Sequence, residues 1–425
     1  MLDEPNVNES RRVIGKLKLV VVNHAFVVPA LRHRWQLLAQ DERFAVHLLV
    51  PRLWEQSWFG ERVTYHIEEI HDGDFHLHPL PTTDTHNWSQ YLFRSIDAHF
   101  RDIRPDLIYI VHEEGALIHQ QIYLYRRLYA PKAKIVFFSM NARGVPHTHQ
   151  PHPIKRAVQR FLWARTRKQT VAALAHYPGC KDSLRRGKYF KPIFLQTQVG
   201  VDEELFSPNP SARASYRRAL RFDRATVIGY SGRLVEDKGV DDLVHAFVEL
   251  AARRSDIALL LVGNGPLKPE IDALRAEHGL HERIHITGFV DQNEVPAYMN
   301  SMDVFVLGSK TMPHWIDTFP LVTVQAQSVG LPVIASNSAS LPWQLDDTAL
   351  LYPEGDRVQL ASALTTLIDN PDLRAHYARK GQARSHEYFC HRGMTDSFKK
   401  VVDQVMEGTF MYHDDGEPYT QWKAY

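Results

Sequence analysis

The feature that most constrains this chain is a rhythm in its C-terminal half. Short runs of aliphatic and β-branched residues recur at Thr226–Ser231, Ala258–Val262, Ile284–Thr287, Val304–Leu307, Pro332–Ala335 and Ala349–Leu351. Between several of them, apolar residues fall at helical steps; after Lys238, positions Val240, Leu243, Val244, Phe247 and Leu250 share one face. Strands alternating with helices make βαβ units, and consecutive units build a parallel sheet covered on both faces. The first half repeats the pattern less cleanly, with strands expected at Leu17–Val22, Ala45–Val50, Leu107–Val111, Lys134–Phe138 and Val171–Ala175.

The chain has 425 residues, room for two or three domains with full cores. The segment Gln196–Ala214 holds one Gly, two Pro and a cluster of Ser and Asn, and reads as a linker. The expected architecture is α/β: two doubly wound domains over 1–200 and 201–399, facing a central cleft. A final helix over 400–425 is expected to pack back on the first domain. Ligands of such folds sit at the carboxyl ends of the strands.

Composition narrows the function. The 50 Lys and Arg nearly cancel the 49 Asp and Glu, which argues against a general nucleic-acid binder. Cys180 and Cys390 are the only cysteines, too few for a disulfide framework or a multi-thiolate zinc cluster. The apolar run near the start, Leu19–Val22, is too short for a signal peptide or a membrane span, and the expected location is cytoplasmic. One local imbalance stands out. From Arg143 to Lys191 there are twelve Lys or Arg and the single acid Asp182. Within it, residues 155–168 mix cations with Phe161, Leu162 and Trp163. That stretch reads as a basic amphipathic helix for an anionic membrane surface or acceptor, with peripheral attachment at the inner face. It reads equally as a solvated helix with its aromatics in the core.

Several motifs carry chemistry. The first strand of the second half ends in Gly232-Arg233-Leu-Val-Glu-Asp-Lys238-Gly239, two cations on a glycine-flanked turn that suit a diphosphate. The plainer alternative is a strand turn with two surface cations. The next strands end in Gly263-Asn264-Gly265 and Gly288-Phe289-Val290, further turns that expose backbone. Neither half opens with G-x-G-x-x-G or a phosphate-binding G-x4-G-K-[ST] loop, which argues against dinucleotide and P-loop chemistry. After the fourth strand, Asp317 lies in a loop, and Phe319, Pro320, Leu321 and Val322 open a helix carrying Gln325 and ending at Gly330. Amides at such a helix start can hold a phosphate. The plainer alternatives are an N-cap acid and a solvated glutamine.

The order GRLVEDKG, LVGNGP, HITGFV and the W-x-D-x-F…Q…GLPVIASNS block resembles the retaining nucleotide-sugar glycosyltransferases of family 4 (group 1), which have the GT-B fold. PDLIYIVHEEG in the first half resembles that family's strand ending in His-Glu, and QTQVGVDEELFSP resembles its interdomain connection. The resemblance implies a UDP- or GDP-linked sugar donor in the second domain and a glycan or lipid-linked acceptor in the first, with no further cofactor and no metal. Arg233 and Lys238 match the pair that holds the diphosphate, with Gly232 and Gly263 in the adjoining turns. Gly288, Phe289 and Val290 match the loop at the base. Asp317 matches the first of two glutamates, near the transferred sugar, and Gln325 the second, at the ribose. Phe319 to Val322 match the segment whose amides meet sugar and phosphate. His112 matches the histidine facing the reacting carbon.

Two departures are visible. Asp317 and Gln325 stand where the family has glutamates, and Asn23-His24-Ala25-Phe26-Val27-Val28-Pro29 has no glycine where the family has a glycine-rich loop. They motivate an alternative, a non-catalytic nucleotide-sugar-binding or scaffolding relative. A third reading uses phosphate or a nucleoside diphosphate as acceptor. Glu113 and Glu114 are acceptor-binding candidates or simply solvated acids. His147, His149 and His152, and separately His76 and His78, have metal-ligating side chains, but no nearby carboxylate or thiolate is read as completing either set, so no metal site is expected.

Overall fold

The computed structural model describes residues 15–58, 61–87, 89–142, 152–313 and 315–410. The chain divides into two compact units. One comprises residues 1–139, 145–174 and 404–409; the other comprises 140–144, 175–403 and 410–425.

The first unit holds β1 (Leu17–Val22), β2 (Phe44–Pro51), β3 (Leu53–Trp58), β4 (Glu61–His66), β5 (Ile70–Asp72), β6 (Phe75–Leu80), β7 (Leu107–Ile110), β8 (Lys134–Ser139) and β9 (Ala172–Ala175). Its sheet runs β9-β8-β7-β1-β2-β6-β5. β8, β7, β1, β2 and β6 are parallel, while β5 lies antiparallel on β6. β3 and β4 form a separate antiparallel ribbon. Leu19 to Val22 and Ile108 to Ile110 are fully buried, as expected where helices cover both faces of a parallel sheet. The five strands read from sequence are present, with ends moved by a residue or so. β3 to β6 were not anticipated. The sequences of β3 and β4, LWEQSW and ERVTYH, are too polar to read as buried strands.

The second unit holds β10 (Ile193–Leu195), β11 (Thr226–Ser231), β12 (Ile257–Val262), β13 (Ile284–Ile286), β14 (Val304–Leu307), β15 (Val333–Ser336) and β16 (Ala349–Tyr352). The order β13-β12-β11-β14-β15-β16 is parallel throughout. Counted along the chain this is 3-2-1-4-5-6, the doubly wound order whose switch point lies between its first and fourth strands. The first unit has the same pattern, with β1 and β7 as the central pair.

The linker reading of 196–214 needs correction at its end, because a helix begins at Pro210. Asn209 caps it by accepting from the Ala212 amide (2.9 Å), and Pro210 takes the first helical turn. What looked like loop composition is a helix start. Arg213 and Arg217 on that helix pair with Asp303, which also accepts from the Val227 amide (2.7 Å) and so ties helix to sheet. At the other end of the chain a helix spans His391–Glu407, and Lys134 Nζ donates to the Val405 and Met406 carbonyls (2.7 and 2.9 Å). Residues 411–425 of the expected final helix lie outside the described residues.

Candidate active site

Strand order places the second unit's ligand edge before any side chain is considered. The carboxyl ends of β11 and β14 flank the switch point, where the helices on either side diverge and leave a crevice. β11 delivers Gly232 and Arg233, and a single turn over Glu236–Lys238 follows. Gly239 then adopts φ +65° and starts the helix Val240–Ala251. β14 delivers Gly308, Ser309 and the loop to Asp317.

Lys238 and Asp317, 79 residues apart, meet here. Lys238 Nζ donates to Asp317 Oδ2 (2.5 Å), and Ser309 Oγ donates to the same oxygen (2.7 Å). Asp317 is buried, and Lys238 is largely so. Arg233 is more open and pairs loosely with Asp237 (3.6 Å). The Trp315 ring lies under both cations, with Arg233 Cζ 5.8 Å and Lys238 Nζ 5.5 Å from its centroid. Tyr230 Oη donates to the Arg233 carbonyl (2.6 Å), and burial holds its phenol well above the usual range.

The glycine turns interlock. The Gly232 amide donates to the Val262 carbonyl and the Leu234 amide to the Asn264 carbonyl, each at 2.9 Å. Gly263 bridges to Gly288, which joins the third turn to the second. Gly263 sits at φ +144°, and a Cβ there would lie 1.9 Å from the Gly232 carbonyl oxygen, so glycine is required. Phe289 projects from the third turn with 79 % of its surface exposed.

The loop carrying Asp317 is pinned from behind. Ser340 Oγ donates to the Asp317 carbonyl (3.1 Å), Gln344 Nε2 to the Pro320 carbonyl (3.1 Å), and Ser336 Oγ to the Ser309 carbonyl (2.6 Å). Pro320 caps the helix Leu321–Ser328, which carries Leu321, Val322 and the half-buried Gln325, and Gly330 follows at φ +81°. The Phe319 ring packs 5.5 Å from His176 and 5.3 Å from Phe389. The N-cap alternative for Asp317 is therefore wrong: its carboxylate bonds Lys238 and Ser309, and the cap is Pro320. Trp315, Ser309 and Tyr230 were not singled out from sequence, although Trp315 stands in the quoted W-x-D-x-F block.

The first unit's switch point is different in kind. β1 ends at Asn23 and His24, and β7 at Val111 and His112. The two imidazoles lie 5.1 Å apart, centroid to centroid. His112 Nε2 shares a 2.7 Å hydrogen bond with Tyr91 Oη, and His24 packs 5.0 Å from Trp54. Burial lowers the His24 pKa to about 4. Burial, with His24 and His119 alongside, puts His112 well below the usual range, so both rings are neutral at pH 7. His119 Nε2 donates to the His112 carbonyl (3.2 Å) and holds that strand end. Glu114 is buried and accepts from Ser139 Oγ, which corrects its reading as a solvated acid; Glu113 is half-exposed.

His78 does have a carboxylate in space: Glu69 lies 3.4 Å from its Nδ1 and 3.3 Å from His71 Nε2. Arg143, His147 and His149 lie outside the described residues.

Residues 213–384 match the family model of the group 1 glycosyl transferases. The match contains every donor-side residue named above, from Gly232 to Gln325. A GDP-mannose-dependent alpha-(1-6)-phosphatidylinositol monomannoside mannosyltransferase of Mycobacterium tuberculosis is 34% identical over 178 residues, covering 41% of this chain and 46% of the relative. A 2-deoxystreptamine glucosyltransferase of Streptomyces kanamyceticus is 30% identical over 223 residues, covering 52% and 56%. This chain spans about half the length of the curated relatives it matches. Among solved structures, sucrose-phosphate synthase from Thermosynechococcus elongatus aligns with a TM-score of 0.65 at 18% identity, over 93% of this chain and all of that one. Anabaena HepE in complex with UDP aligns at 0.64 and 16%, over 91% of this chain and all of that one. The fold is that of the GT-B glycosyltransferases, with two Rossmann-like domains. Among the described residues, no helix is long and apolar enough to cross a membrane.

Proposed function

We propose that this protein is a retaining, metal-independent glycosyltransferase that moves a sugar from a UDP- or GDP-linked donor to a glycan or lipid-linked acceptor. One observation carries the reading: Arg233 and Lys238, with Asp317 held against Lys238, gather at the second unit's switch point. A diphosphate leaving group needs concentrated positive charge, and two cations on a preorganised turn supply it without a metal. The amides opening the helix at Leu321 add partial positive charge on the same edge. Asp317 accepts from the transferred sugar, Gln325 from the ribose, and the turn Gly288–Val290 meets the base.

In the reaction, the bond between the anomeric carbon and the diphosphate oxygen breaks as the acceptor oxygen bonds to the same face. The acceptor proton passes to the departing phosphate. His112, neutral and held by Tyr91, serves as a hydrogen-bonding partner of the donor sugar, not as a charge. Glu113 and Glu114 are assigned to the acceptor.

A lipid-linked acceptor is favoured by the helix Pro153–Gln169. Leu162 and Trp163 are buried, whereas Ile154, Val158 and Phe161, at steps of four and three, are 67 %, 49 % and 60 % exposed. Arg165 and Lys168 fall on the same stripe. The mycobacterial relative acts, by its name, on a phosphatidylinositol mannoside.

The test is a thermal-shift panel of UDP-, GDP-, ADP- and dTDP-sugars on the wild type and on Lys238→Ala. One nucleotide class is expected to stabilise the wild type and not the variant. If no donor shifts either folded protein, the enzymatic reading fails and the scaffolding alternative takes its place.

A further inference from the structure

Five imidazoles from four elements of the first unit crowd onto one patch, none of them used by the proposed transfer. β2, β6 and β5 are neighbours, with His47 opposite His76 and His71 opposite His76 in register. A step of two along β6 returns His78 to the face of His76. His99, from the helix Ile96–Ile103, closes over His78 with ring centroids 5.2 Å apart. The rings of His47 and His76 stack at 4.7 Å, those of His47 and His78 at 5.3 Å, and those of His71 and His76 approach to 5.2 Å.

Two nitrogen–nitrogen contacts define what the patch can hold. His71 Nδ1 faces His76 Nδ1 at 3.0 Å, and His47 Nδ1 faces His78 Nε2 at 3.0 Å. Imidazole nitrogens bind zinc at about 2.0–2.1 Å, so two on one ion lie about 2.9 Å apart at a right angle and about 3.3 Å apart in a tetrahedron. Each pair shares a hydrogen bond at that separation, and a bound ion would take the place of its bridging proton, which leaves to solvent. Glu69 Oε1 stands 3.3 Å from the far nitrogen of His71 and would orient that ring, as carboxylates do for ligating histidines. Among the described residues no three metal-binding side chains converge on one point, so the patch offers chelating pairs with water completing the shell.

We propose that His71 and His76 form a binding site for a borderline divalent metal ion, Cu2+, Ni2+ or Zn2+, that clips the edge strand β5 to β6. The pair at His71 and His76 is the more open, since half of the His71 side chain is exposed, while His78 is buried. Imidazole donors favour these three ions over Mg2+ and Ca2+, with Cu2+ held most tightly. The site is distinct from the transfer chemistry, and its expected consequence is mechanical. β5 is a three-residue edge strand, the kind of element that opens first, and a bond to each of two strands holds it closed.

The test uses the full chain with each metal ion alone. Calorimetry is expected to show Zn2+ binding at micromolar Kd, with a rise of about 2–4 °C in Tm at tenfold excess over Kd. Cu2+ spectra should carry the splitting of two equatorial imidazole nitrogens. Both signals should weaken at least tenfold in His71→Gln and in the double variant His71→Gln/His76→Gln, and persist in His147→Gln/His149→Gln. His71 is exposed enough that its single variant keeps the fold, and donor-induced thermal shift checks that in the same sample. Unchanged affinity in both His71 variants, a spectrum with fewer than two imidazole nitrogens, or loss of binding only in the His147 variant would each overturn the assignment.

Discussion

The two units share a strand order and put their switch points to opposite uses. In the second, the ends of β11 and β14 bring together Arg233, Lys238 and Asp317 over an indole. In the first, the ends of β1 and β7 bring together His24 and His112 against Tyr91 and Trp54, with both imidazoles kept neutral by burial. The topology supplies an open crevice in both cases, and the side chains decide what it can hold. A charged crevice suits a diphosphate. A neutral aromatic one suits sugar rings and hydroxyls, which need hydrogen bonds and flat apolar faces.

The sharpest way to break this contrast is to remove a cation. Lys238→Ala should lower transfer about 100- to 1000-fold, the usual cost of losing one preorganised donor, while leaving the fold intact. Single-turnover rates with the stabilising donor would measure it, and an unchanged rate would remove the charged crevice from the mechanism. Next in size is Gly263→Ala. Its Cβ would lie 1.9 Å from a carbonyl oxygen at a φ of +144°, and a loss of about 2–3 kcal/mol is expected in denaturant unfolding. The loss should fall on the second unit.

Acid should act on the first unit before the second. Burial lowers His24 and His119 to about 4 each and holds His112 well below the usual range, from an unfolded value near 6.5. Between those values the unfolded chain binds protons that the folded chain does not, so stability falls as pH drops from 7 toward 4. In the second unit, burial lowers His176 to about 3, and His285 is also lowered. Hydrogen exchange at pH 7 and pH 5 should show β1 and β7 losing protection ahead of β11 and β14. The smallest effect is Trp315→Ala. An indole beside two cations contributes about 0.5–1 kcal/mol at a half-exposed site, so donor Kd should weaken only a few-fold in calorimetric titration.

Much of the second unit was legible because its strands are short apolar runs and its cations stand in one contiguous turn. The pairing of Lys238 with Asp317 and Ser309 was not, because these residues come from separate strand ends that only the parallel order makes neighbours. In the first unit the hidden elements included β5 and β6. FHLHPL alternates apolar and polar in the manner of a strand, with imidazoles at the polar positions, and that period could have revealed it. The helix at Pro210 was hidden by its own cap, since Asn-Pro-Ser serves a turn and a helix start equally well.

Under the proposed function, the bond between Lys238 and Asp317 would bear on turnover as well as on binding. Without donor, the lysine's charge is already answered, so a free inorganic anion gains little by displacing the carboxylate. An intact sugar nucleotide offers two exchanges at once, phosphate for Lys238 and a sugar hydroxyl for Asp317. Once the sugar has moved on, the remaining nucleoside diphosphate can satisfy only the first, and Asp317 competes to reclaim its lysine. In the proposed transfer the same contact would discriminate against empty anions on the way in and speed release of the spent nucleotide on the way out.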